Sequence, residues 1–231
     1  MLALLLACTS ADSVMVTDPT ETEPFEEEEE EAEEETEVPE PQWSVTWGPI
    51  PEDLATQMRG TTMHDGCPVP MEDLVLLEPA YWDFDDQPQA GRLVVAEKHA
   101  EDLAGVFETL WEAKFVIRSM NPASDYGGSD DASMAADNTS AFNCRSVTGG
   151  NSWSEHSYGH AIDINPRENP YVKGSTVLPP EGAEFVIRDP NQPGLIVEGD
   201  VVTQAFDAIG WGWGGRWGSL KDYQHFSATG N

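Results

Sequence analysis

Two stretches of this sequence concentrate residues able to do chemistry. WSEHSYGHAIDINP (153–166) holds His156, His160 and Asp163, and KDYQHF (221–226) holds Asp222 and His225. Imidazoles and a carboxylate are the donors of a catalytic zinc site, which takes three protein ligands and keeps a fourth position open. His156 and His160 are four apart and could share a helical face, as in HExxH metalloproteases. However, Gly159 interrupts, Glu155 precedes the pair instead of lying within it, and AIDINP alternates like a strand running into a proline. The helical reading loses. In the strand reading Ile162 and Ile164 point one way and Asp163 the other, toward solvent or a site. The odd spacing from His156 to Asp163 cannot put both on one face of a continuous strand, so the chain must bend, and Gly159 permits a bend. His225, followed by Phe226 as a core anchor, is the natural third donor. Asp222 is three residues earlier, close enough across a turn to take a proton from water at the same site.

In this order and spacing the residues resemble a known family. Ser154, His156, Gly159, Ala161 and Asp163 give S-x-H-x(6)-D, and Asp222, His225 and Phe226 give D-x-x-H-F. The pattern looks like the VanY-like D-alanyl-D-alanine carboxypeptidases and their L-alanyl-D-glutamate endopeptidase relatives, peptidase family M15. NTSAFNCR (138–145) and GWGWGGRW (210–217) add to the likeness, which runs from about residue 60 to 228. The resemblance implies that His156, Asp163 and His225 bind Zn2+ and that Asp222 is the general base, where many relatives carry Glu. It also implies an arginine that holds substrate and polarises the scissile carbonyl. Arg145 is the first choice, and Arg118 the alternative, because relatives often place this arginine further upstream. His160 matches no ligand position and is expected to line the cleft or pair with a carboxylate. The implied activity is zinc-dependent hydrolysis of peptidoglycan stem peptides, at D-Ala-D-Ala or at L-Ala-D-Glu. Two other readings compete with it: an inactive, metal-containing lipoprotein that grips cell-wall peptides, and an envelope lipoprotein whose metal only stabilises the fold.

Other residues of the same types read as structure. His64 and His99 are ordinary hydrogen-bonding histidines, and His64-x-x-Cys67 alone is a weak metal signal. Asp83, Asp85 and Asp86, and Asp125, Asp130 and Asp131, do not follow EF-hand spacing and read as solvated turns. Trp211, Trp213 and Trp217 divide between core and cleft wall. Ser152 and Ser154 lie near His156, but an imidazole that binds metal cannot activate a serine.

The elements that must position these residues are those of an α+β domain, with a small, mostly antiparallel sheet flanked by helices. Helices are predicted at PEDLATQM (51–58), AEKHAEDLAGVFETLWEAK (96–114) and VVTQAFDAIG (201–210). The second carries Leu103, Val106, Phe107, Leu110 and Trp111 on one face. Strands are predicted at 91–96, 115–120, 140–147, 160–164, 184–188 and 194–200, with a loop or short helix over 121–140 and a Trp/Gly-rich hairpin before YQHF.

Charge divides the chain. The net charge is −32 from 43 acids and 11 bases. Residues 1–42 hold 15 of the acids and no base, leaving 28 acids against 11 bases in the rest. Such a domain repels phosphate backbones, so a nucleic-acid partner is not expected. Residues 9–42 are acidic, low in complexity and punctuated by proline, the composition of a disordered, extended linker. Residues 1–8, MLALLLAC, are too short to span a bilayer. Leu5-Leu6-Ala7-Cys8 resembles a bacterial lipobox, with Cys8 the lipidated residue and a start codon assigned too late. The expected molecule is a monomeric lipoprotein of a bacterial cell envelope, periplasmic, in the outer membrane or surface-exposed, held to the membrane only by its lipid anchor. The peptidase domain occupies 43–231. In an oxidising compartment Cys67 and Cys144 can bridge.

Overall fold

The computed structural model describes residues 41–147 and 149–231. Cys8 and the acidic linker up to residue 40 lie outside the described residues. In chain order the elements are β1 (Val45–Pro49), α1 (Glu52–Arg59), β2 (Leu74–Trp82), β3 (Pro88–Ala90), β4 (Leu93–Ala96), α2 (Ala100–Glu112), β5 (Ser119–Met120), α3 (Asp130–Ala135) and β6 (Asn138–Thr139). They continue with β7 (Ala161–Asp163), β8 (Tyr171–Lys173), β9 (Thr176–Leu178), α4 (Val201–Ala208), β10 (Gly212–Trp213), β11 (Lys221–Asp222) and β12 (His225–Ser227). The fold is α+β, and every strand pair is antiparallel except β5 with β6.

The backbone of the domain is β2, a run the sequence reading did not pick out. It pairs with β1 along one edge and with β3 and β4 along the other. Both its faces are covered. Val75 and Leu77 join the main core with α2, while Leu74 and Leu76 join a second core with Leu54 and Met58 of α1. A strand buried on both sides loses the apolar–polar alternation that marks a half-buried one. α2 presents the predicted stripe, with Leu103, Val106, Phe107, Leu110 and Trp111 all buried. Each such side chain contributes roughly 1.5–3 kcal/mol by leaving water.

The core then reaches the chemistry-bearing strands. Phe206 of α4 stacks on Phe226 of β12 at 4.1 Å between ring centres. β12 lies between β10 and β7 in a three-stranded sheet, and β8 lies between β9 and β11 in another. A disulfide joins Cys67 to Cys144, with Cα atoms 5.9 Å apart, and ties the loop after α1 to the segment leading to Arg145.

Three predicted strands are corrected. SAFNCRSV (140–147) is extended but forms only isolated bridges, Ser140 with Asp163 and Ser146 with Trp153. Its other backbone bonds go to scattered partners: Phe142 N to Val94, Asn143 N to His156 and Cys144 N to Thr62. EFVIR (184–188) is not a strand, because Pro180–Phe185 coil into a 3-10 helix and Arg188 turns inward to donate to the carbonyls of Glu168, Phe185 and Ile196. GLIVEGD (194–200) has no strand partner among the described residues. Side-chain amides replace the ladder: Ile196 N donates to Asn169 Oδ1, and the Asn165 and Asn169 amides donate to Gly194 O. FVIRSM (115–120) shrinks to β5 at its end. Among the described residues, no helix is long and apolar enough to cross a membrane.

Candidate metal centre

His156 sits in a 3-10 turn, Glu155–Tyr158, whose first backbone amides are orphaned; the Ser154 hydroxyl accepts from His156 N at 3.3 Å. That capping bond is what the structure gives Ser154 to do. Gly159 closes the turn at φ +67° and passes the chain into β7. A Cβ here would stand 2.5 Å from Ala96 N and 2.9 Å from Leu74 Cδ2, so the bend needs glycine for space as well as for torsion. The bend lets His156 and Asp163 face one point despite their odd spacing. Across the sheet, Asp163 of β7 is in register with His225 of β12. Residues directly opposite on antiparallel strands share a face.

The donor atoms converge. His156 Nε2 lies 3.2 Å from Asp163 Oδ2 and 3.2 Å from His225 Nδ1, and His225 Nδ1 lies 3.0 Å from Asp163 Oδ1. Each ring is oriented from behind. His156 Nδ1 is 2.6 Å from Ala141 O, and His225 Nε2 is 3.0 Å from Asn231 O. A carbonyl can only accept, so those nitrogens carry the protons and the opposite nitrogens present lone pairs to the centre. Burial by itself would raise the Asp163 pKa, but the charge and hydrogen bond of His156, and then His225, hold it well below the usual carboxylate range. Burial opposes charge on His225, yet Asp163 and then Asp222 raise its pKa above the ordinary imidazole value. The trio therefore calls for positive charge at its centre, and its three donors, within 4.8 Å of one another, could hold a metal ion.

Asp222 lines the same cavity, with Oδ1 buried and without a hydrogen-bond partner. Burial, and then the charge of Asp163, push its pKa up to about 6, against the opposing pull of His225, Gln224 and His156. Gly214 makes room for it, since a Cβ there would come within 2.9 Å of Asp222 Cβ. The cavity is about 380 Å³ and opens between α3, the 145–154 segment and β8.

The structure separates the two candidate arginines. Arg145 lines the cavity, with Nε paired to Asp130 and its backbone N bonded to Ser157 Oγ at 2.9 Å. Arg118 does not line the cavity; it lies over the Phe84 ring, with Nε 3.7 Å from Asp137 Oδ2. His160 stays out of the donor trio and approaches Glu155, Nδ1 to Oε2 at 3.7 Å. Burial, then Lys98 and His99, push its pKa down to about 4, so its ring is neutral at pH 7. His64 and the two cysteines also cluster, but the cysteines are joined as a disulfide and offer no thiolates. Trp211 and Trp213 belong to the core, whereas Trp217 lines the cavity beside His225.

The sequence reading missed the β8–β9 hairpin, which brings Tyr171, Lys173 and Leu178 into the cavity wall. Its signal was present: YVK and TVL flank Gly174-Ser175, a two-residue turn of the kind that closes hairpins.

An α+β domain with two imidazoles, a carboxylate and a second, unpartnered carboxylate in one cavity has the parts of a metal-dependent hydrolase. Residues 148–228 match the family model described as D-alanyl-D-alanine carboxypeptidase, and the resemblance to the M15 family of VanY-like peptidases holds for this segment, which supports a peptidase acting on cell wall. The matched segment includes all three donors and Asp222; NTSAFNCR and Arg145 lie upstream of it. No curated protein and no solved structure matches the chain.

Proposed function

We propose that this protein is a zinc-dependent peptidase that hydrolyses peptide bonds in peptidoglycan stem peptides, at D-Ala-D-Ala or at L-Ala-D-Glu. The observation that carries the reading is the convergence of His156, Asp163 and His225 beside a buried Asp222, inside the segment that matches the peptidase family. The donor set fits zinc: separations of 3.0 to 3.2 Å are close to the ~3.3 Å edge of a tetrahedron with bonds of about 2.0–2.1 Å. Zinc bound there supplies Lewis acidity, which polarises the scissile carbonyl and acidifies water. Asp222 accepts the proton of the attacking water and returns it to the leaving amine, the double duty of a general base turned acid. A carboxyl that titrates near 6 can both take and give a proton at neutral pH. Arg145, which lines the same cavity, holds the substrate carbonyl, its guanidinium paired with Asp130.

The protein acts in a bacterial cell envelope as a monomer, anchored through a lipid on Cys8 and spaced from the membrane by the acidic residues 9–42. Replacing Cys8 by Ser should move it from the membrane fraction to the soluble one.

Incubating the zinc-loaded protein with muropeptides and analysing the products by mass spectrometry tests the activity. Loss of a terminal D-alanine, or separation of L-alanine from D-glutamate, is expected. Muropeptides that bind but stay intact would turn the reading into that of a cell-wall binding module.

A further inference from the structure

The cavity lining holds two cations, and only one of them is committed. Arg145 is paired with Asp130 and also donates to Ser146 O at 3.1 Å. Lys173 lines the same cavity, yet pairs with no carboxylate among the described residues. The rest of the charged lining is acidic: Asp130, Glu155, Asp163 and Asp222. Asp130 is offset by Arg145 and Asp163 would be offset by the proposed zinc, so Lys173 is the cation of the lining left to receive an anionic group of a substrate.

The position of Lys173 follows from the register. Tyr171 of β8 is opposite Leu178 on one side and Asp222 on the other. Tyr171 and Lys173 are two apart and share a face, and all four residues line the cavity. Along this wall the Lys173 side chain therefore starts one side-chain repeat, about 6.7 Å, beyond the level of Asp222.

Both scissile bonds considered above share one chemical feature. The residue on the amine side carries a free α-carboxylate: in D-Ala-D-Ala because it ends the chain, and in L-Ala-D-Glu because the stem continues through the γ-carboxyl. That carboxylate carbon is only about 2.5 Å from the leaving nitrogen, through one Cα. If Asp222 hands its proton to that nitrogen from hydrogen-bond distance, the carboxylate lies close to Asp222, in the cavity that Lys173 also lines.

We propose that Lys173 receives the free α-carboxylate of the residue on the leaving side of the scissile bond and so sets specificity for it. This rests on the peptidase reading, and the experiment separates the two. The probes are the pentapeptide L-Ala-γ-D-Glu-L-Lys-D-Ala-D-Ala as free acid, its C-terminal amide, and the form whose glutamate α-carboxyl is an amide. Wild type and Lys173→Met are compared with zinc present, by kinetics and by Kd from tryptophan fluorescence in an Asp222→Asn background. Lys173→Met should raise KM for the cleaved acid about tenfold with a smaller change in kcat. Removing the relevant carboxylate should cost wild type a similar factor and Lys173→Met almost nothing, and the amide that matters identifies the bond. Equal losses on acid and amide, or no loss, overturn the assignment while leaving the peptidase reading intact. If wild type cleaves none of the three, the peptidase reading fails and the Kd values decide. A preference for the acid that disappears in Lys173→Met upholds the subsite; no preference, or no binding, overturns it.

Discussion

His225 on β12 stands directly opposite Asp163 on β7, and its Nδ1 is 3.0 Å from Asp163 Oδ1. Residues 62 apart in sequence thus become two corners of one donor set through an ordinary antiparallel pairing. If the site binds zinc as proposed, its affinity depends on the sheet, and the sheet should gain stability from zinc.

Zinc should raise the stability to urea by about 2.7 kcal/mol at a free concentration a hundred times Kd. His225→Ala should abolish that increment, whereas His160→Ala should keep it, because His160 lies outside the trio. Unfolding curves with and without chelator measure both.

Asp222→Asn should retain zinc while kcat falls by about 10²–10⁴. In the native enzyme kcat/KM should rise with pH as Asp222 ionises, with a midpoint at about 6 or below. A bound cation favours the carboxylate form, so it displaces the limb downward. A pH–rate profile lacking an acid limb in this range would remove Asp222 from the role of base.

Glu168 gives the fold its own pH dependence. Burial, and then its hydrogen bond and proximity to Asp137, push its pKa up to about 8 from an ordinary 4.5. The folded state keeps a proton that the unfolded state releases, so its stabilising contribution is complete below pH 4.5 and lost as pH rises through about 8. The loss should be on the order of a few kcal/mol at most. Glu168→Gln should flatten this slope in unfolding experiments between those pH values.

Gly159→Ala should cost at least ~2 kcal/mol, because it adds steric conflict with Ala96 N to the left-handed backbone penalty. Gly174→Ala is the control: its φ is also positive, at +61°, but a Cβ would meet nothing within 4 Å, so the cost should be only about 1 kcal/mol. Similar losses at both positions would remove close packing as the reason for glycine at 159.

The site was more legible than the scaffold. His156, Asp163, Asp222 and His225 could be picked out because few residue types bind metal or move protons, and a glycine marked the bend between the first two. The helices were equally plain, since α2 shows its apolar stripe. β2 was invisible because two cores bury it from both sides, and LVLLEPAYW carries no period. GLIVEGD looked like a strand because its apolar residues are real, but Asn165 and Asn169 satisfy its backbone in place of a neighbouring strand. Such substitution of side chain for ladder is long-range and leaves no local pattern. Lys173 escaped notice for a related reason: an isolated lysine means nothing until β11 brings Asp222 alongside its strand.

The cross-strand pairing of β7 with β12 also sets an order of events during synthesis. A growing chain that has reached β7 but not β12 owns His156 and Asp163 alone, two donors without the partner that completes the set. Residues 164–224 must be made and folded back before His225 arrives opposite Asp163. On the proposed reading, metal capture, and with it hydrolytic power, is withheld from the nascent chain until translation has passed β12.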